Sequence, residues 1–158
     1  MHIALIVVGI GLVIAFWLIF ARSRVAPTFQ VLMSDIPRVL AQLETSTVEL
    51  AFAVFVFSKP DRPGDEGAVN IQFSMENGTA GIDWVLLARR NIEDQASFVE
   101  FARQRGFSPV PHEQNDVKYL RVEHGDIAKL CQDVMREMYR VTSSTRIELI
   151  TEGFDWVP

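Results

Sequence analysis

Few side chains in this 158-residue chain have the type and spacing to do chemistry. Cysteine occurs once, at Cys131, so there is no intramolecular disulfide framework, and a reducing compartment is compatible. A thiol attacks only as thiolate, in an activating setting. Cys131 falls instead in register with Ile127, Leu130, Val134 and Met138. That is one apolar helical stripe, which predicts a buried packing role. His112 and His124 flank one predicted strand, and Gly125-Asp126 follows His124. With nearby acids the two histidines would suit a small hydrolase or a metal-dependent enzyme, but the ligand spacings of zinc sites are missing. Asp83 lies in a predicted strand and Glu123 ends another. There is no glycine-rich phosphate loop, no Gly-x-Ser-x-Gly and no His-Glu-x-x-His. The expectation is a protein without catalytic, cofactor-binding or metal-binding residues, with the His112–His124 enzyme as a lesser alternative.

The elements that must position these residues follow from periodicity and turn chemistry. Ser34 or Asp35 caps a helix with Pro37 in its first turn and Ile36, Val39, Leu40 and Leu43 on one face. Val48–Phe57 reads as a strand apolar on both faces, which predicts a central, covered position. Lys59 to Gly67 is a loop by composition. Val69, Ile71, Phe73 and Met75 alternate with polar residues as a half-exposed strand. Asn77-Gly78 turns the chain into a return strand, Ile82–Arg89. Asn91 caps a second helix bearing Phe98, Phe101, Ala102 and Arg105, which ends at Gly106. Phe107–Val110 begins a short strand that Pro109 and Pro111 restrict to an edge. Asn115-Asp116 leads to Val117–Glu123, then a last helix from Gly125 or Asp126. Ile147–Ile150 adds a short edge strand. The predicted class is α+β in the order α-β-β-β-α-β-β-α, an antiparallel sheet with helices mainly on one face.

Ahead of this domain runs Ile3–Phe20, eighteen residues without a charge. As a helix it would be about 27 Å long, close to the hydrocarbon thickness of a bilayer. Gly9 and Gly11 are tolerable there, Trp17 suits an interface, and Arg22 and Arg24 follow at once. These features predict a single transmembrane helix in residues 1–24, a juxtamembrane linker in 25–32, a binding domain in 33–151 and an aromatic tail in 152–158. The arginines place the domain on the cytoplasmic side of the inner membrane. The lipid bilayer is then one partner, and a subunit of a larger membrane complex is an alternative role.

The remaining partner cue is apolar surface. Phe55, Phe57, Phe73 and Trp84 in the sheet, with Phe154 and Trp156 in the tail, are candidate contacts for a protein or peptide, a homodimer included. The charge balance, 15 basic against 20 acidic residues for a net −5, contains no basic stripe, so nucleic acid is not an expected partner.

With the element order in hand, the chain resembles the type III secretion chaperone and YbjN-like superfamily. Gln72-Phe73 in the second strand, Arg105-Gly106-Phe107 at the end of the middle helix and Val134–Val141 in the final helix carry the likeness, which covers about Met33 to Val141. The resemblance implies a non-catalytic peptide- or effector-binding domain that commonly dimerises. The apolar opening and the aromatic tail depart from that pattern.

Overall fold

A computed structural model describes residues 27–58 and 67–158 of the chain. Seven strands form one antiparallel sheet in the order β1-β7-β2-β3-β4-β6-β5. They are β1 Thr28–Val31, β2 Phe52–Ser58, β3 Ala68–Glu76, β4 Thr79–Val85, β5 Val110–Gln114, β6 Val117–Val122 and β7 Ile147–Glu152. Four helices accompany them among the described residues: α1 Ile36–Glu44, α2 Arg89–Glu93, α3 Gln95–Gln104 and α4 Ile127–Asp133, the last running into a π-helical turn, Val134–Met138.

The apolar faces of the helices decide where the core lies. Ile36, Val39 and Leu43 of α1, Phe98 and Ala102 of α3, and Leu130, Cys131 and Val134 of the last helix are wholly buried. They meet Phe55, Phe73, Ile82 and Trp84 of the sheet in one cluster. Trp84 stacks on Phe98 at 4.6 Å between ring centres. Each such ring or aliphatic chain removed from water contributes about 1.5–3 kcal/mol. On the opposite sheet face Phe52, Val54 and Ile150 make a smaller apolar cluster, with Val56 beside it.

Several elements differ from the sequence reading. Thr28–Val31, within the predicted linker, is a strand that pairs with β7 from Thr28↔Ile150 to Val31↔Ile147. Consequently β7 is not an edge; it fills the slot between β1 and β2. The segments carrying α1 and α4 are therefore crossovers over the sheet, not simple turns. β2 begins at Phe52, because Leu50 takes a positive φ of 66° that a strand cannot hold. β4 ends at Val85, and Asn91 sits inside α2.

The membrane assignment also needs correction. Among the described residues no helix is long and apolar enough to cross a membrane. The longest, α3, has 10 residues, about 15 Å, and carries Glu100 and Arg103. The span expected at Ile3–Phe20 lies outside the described residues, as does most of the loop from Lys59. The single-pass inner-membrane location and the anchor in the fold class have no support among the described residues.

Two side-chain amides act as substitute strands. Asn91 Oδ1 accepts from the Asn70 N–H at 3.2 Å, and its Nδ2 donates to the Asn70 carbonyl at 2.7 Å. The β3–β4 ladder extends only to Gln72↔Asp83, so Asn91 satisfies the backbone pair that β4 leaves open. At the other end of the molecule Gln42 does the same for the tail, donating to the Val157 carbonyl at 2.9 Å and accepting from its N–H at 3.1 Å.

The π turn ends on Arg140, whose φ of 57° is left-handed, and the Val141 N–H closes back on the Met135 carbonyl. A glycine would hold that conformation without Cβ strain. Arg140→Gly is expected to raise the unfolding free energy by about 0.5–1 kcal/mol. A higher urea midpoint at unchanged m-value is the check.

Candidate functional site

Arg121 in β6 is the least ordinary residue of the sheet. Its side chain is 0% exposed, although it lies on the face opposite the large core. Cross-strand register explains how it is held. Arg121 pairs with Asp83 of β4 and with Val110 of β5, and it reaches past Asp83 to β3. Nη1 donates to Asp83 Oδ1 and to Ser74 Oγ, both at 2.8 Å. Nε donates to Glu123 Oε1 at 2.6 Å. Nη2 donates to the carbonyls of Thr79 at 3.1 Å and Ser74 at 3.5 Å. The guanidinium lies flat on Gly81, where an added Cβ would come within 2.5 Å of Cζ. A side chain at position 81 would dislodge it.

Three carboxylates surround this one cation, since Glu76 Oε2 lies 3.4 Å from Nε, while Glu76 Oε1 accepts from the Tyr119 hydroxyl at 3.1 Å. Burial opposes the guanidinium charge, but Asp83, Glu123 and Glu76 more than compensate and raise its pKa. The Arg121 hydrogen bond, above all, holds Glu123 below the usual carboxylate range. Asp83 behaves differently. Burial pushes it up from 3.8 to about 7, against the pull of Arg121 and of Ser74, which donates at 2.6 Å.

The sign of the resulting pH dependence follows. A folded-state pKa above the unfolded value means that the native state binds the extra proton. The stabilisation is complete below about pH 4 and is lost as pH rises through about 7. The urea midpoint of the native chain should therefore fall from pH 5 to pH 7.5 relative to that of Asp83→Asn. Parallel curves would contradict the assignment.

Beyond Arg121 the β5–β6 end of the same face opens into a cavity of about 220 Å³. Gly106, Phe107, Ser108 and Val110 line it from the α3–β5 segment, and His112, Arg121, Val122, Glu123 and His124 line the rest. Phe107 forms its wall by packing against Gly125, where a Cβ would sit 2.8 Å from the ring and φ is +88°. His112 lies beside the Tyr119 ring at 5.3 Å. The structure thus brings together the two histidines singled out from sequence, along with Glu123. It does not wire them as a catalytic relay. Glu123 hydrogen-bonds Arg121, and among the described residues no hydrogen bond joins Ser108 or Glu123 to either imidazole. Nor do any three His, Cys, Asp or Glu side chains among them stand ready to hold a metal ion.

The aromatic candidates lie elsewhere. Phe55, Phe73 and Trp84 are 0% exposed and Phe57 is 4% exposed, all within the main core. Trp156 is 5% exposed and packs on that core, with the Arg38 guanidinium 5.0 Å over its ring; Phe154 is partly buried beside it. Cys131 is sealed in the core, and burial pushes its thiol above the ordinary value. Sequence reasoning places Asp83 in a strand and does not single out Arg121, because the burial of both depends on cross-strand partners.

Comparison with family models, with curated proteins and with solved structures finds no match to this chain.

Proposed function

We propose that the domain is a non-catalytic binding module that receives an extended segment of a partner protein as an added strand on β5. One observation carries the reading: the sheet order ends on β5, and a cavity sized for a single side chain opens on that same edge. Strand addition works through this combination, with main-chain hydrogen bonds for affinity and a pocket for specificity.

The hairpin defines which groups the edge offers. Asn115 and Asp116 have φ of 51° and 65°, as a two-residue type I′ turn requires. The flanking pair Gln114↔Val117 is then the hydrogen-bonded one, and alternation leaves Glu113 and Pro111 facing outward. In agreement, the carbonyl of Lys118, opposite Glu113, accepts from Leu86 on the far side. Glu113 offers both N–H and C=O to a partner; Pro111 offers only C=O. The missing donor shortens the usable edge and guards against indiscriminate sheet extension. The peptide-binding role is the kind that the superfamily resemblance implies.

Panning a random peptide library against the full chain tests the reading. The expected result is enrichment of extended sequences whose capture is lost in Glu113→Pro, a change that removes the outward donor while the chain's thermal unfolding stays cooperative. Enriched peptides that bind Glu113→Pro equally well, or no enrichment at all, would overturn it.

A further inference from the structure

We infer that the cavity beside β5 accepts a basic side chain, lysine or arginine, carried by the added segment; this rests on the strand-addition reading above. Donor counting at Arg121 argues against the opposite charge. A guanidinium has five N–H groups, and Arg121 directs five hydrogen bonds at Glu123, Asp83, Ser74 Oγ and the carbonyls of Thr79 and Ser74. None remains to hold an incoming carboxylate or phosphate. The surrounding charge is also in excess on the acidic side: even without Asp83, whose burial favours its neutral form, Glu76 and Glu123 face a single guanidinium.

What the cavity presents is complementary to a cation on an aliphatic stem. Glu123 is the carboxylate that both lines it and reaches solvent, with its side chain 36% exposed. Its hydrogen bond with Arg121 keeps it ionised. His112 and His124 line it with imidazoles whose ring nitrogens accept hydrogen bonds when unprotonated, and Ser108 supplies a hydroxyl. Phe107, Val110 and Val122 supply apolar wall for methylene groups, and an aromatic face adds attraction for a cation. Register puts the side chain in the right place. Val110 and His112 line the cavity from the strand itself, so alternate residues of a segment paired to β5 project over the same face.

The test follows the imidazole signals of His112 and His124 and the amide signal of Glu113 by NMR in the full chain. Three probes are titrated: the blocked peptide Thr-Val-Lys-Val-Thr, its norleucine counterpart, and n-butylammonium, with acetate as the anionic control. The lysine peptide is expected to move all three signals and to bind at least about tenfold tighter than the norleucine peptide, the scale of one charge-assisted hydrogen bond. Glu123→Gln keeps an acceptor for Arg121 and should abolish that preference. Val110→Trp, at a position 51% exposed and directly across from Arg121, should fill the cavity while leaving every hydrogen-bond partner of the guanidinium in place. Equal affinity for the two peptides with a shifted Glu113 amide would overturn the basic anchor while leaving strand addition standing. Imidazole shifts with butylammonium, lost in Glu123→Gln, without any Glu113 shift from the peptides would keep the anchor and remove strand addition. Imidazole shifts from acetate alone, or from no probe, would overturn the anchor.

Discussion

Arg121→Met is expected to lower the unfolding free energy by about 3–5 kcal/mol, the range for removing one member of a buried ionic group. The loss has a specific origin. Asp83 and Ser74 are both 0% exposed, and the substitution removes their common donor together with the only cation among three acidic groups. Methionine fills much of the volume but donates no hydrogen bond. The companion change separates the pair from the packing. With Asp83→Leu added, the stranded carboxyl is gone, and most of the loss should be recovered, because a buried ion pair replaced by apolar groups of similar size is often near neutral. Urea unfolding of the wild type, both single variants and the double variant measures the coupling directly. If the single and double variants were equally unstable, the role assigned to the cluster would fail.

Asn91→Leu is the second large effect. It leaves the Asn70 N–H and C=O facing a hydrocarbon in a fully buried setting. Each orphaned group costs about 1–3 kcal/mol, so the expected destabilisation for the two together is about 2–6 kcal/mol. Two readings check it. Hydrogen exchange at the Asn70 amide should accelerate well beyond the change in global stability. The Trp84 indole, which donates to the Asn91 carbonyl at 2.9 Å, should keep its protection, since that bond uses backbone.

These two residues also show how much was legible from the chain. Local patterns located most elements. Ile36, Val39 and Leu43 recur at helical spacing and face the core. Asn77-Gly78 joins β3 to β4, and both residues have positive φ. Val117–Val122 is a strand. Relations between distant elements were not legible. Phe29 and Val31 alternate with Thr28 and Gln30, but four residues behind a proline carry little signal until β7 arrives to pair with them. The polar residues of β3 read as solvent-facing, yet Ser74 is covered by a guanidinium that belongs to a strand 47 residues away. Asn91 read as a helix cap; its amide instead completes a ladder 21 residues back. The sheet aromatics illustrate the converse. Their abundance suggested a sticky face, and the helices account for it by packing on Phe55, Phe57, Phe73 and Trp84. The histidines were found by type and their meeting place was not, because it depends on how the Phe107 segment folds against Gly125.

The slot that β7 fills between β1 and β2 carries a consequence for biogenesis. The neighbours on either side, β1 and β2, precede the other strands of the sheet in the chain, whereas the strand that joins them follows all the others. During synthesis both wait with raw edges that can template unwanted pairing. Ribosome-bound chains halted before Ile147 should therefore be captured by holdase chaperones and cut readily by protease, and emergence of β7 from the ribosome should end both together.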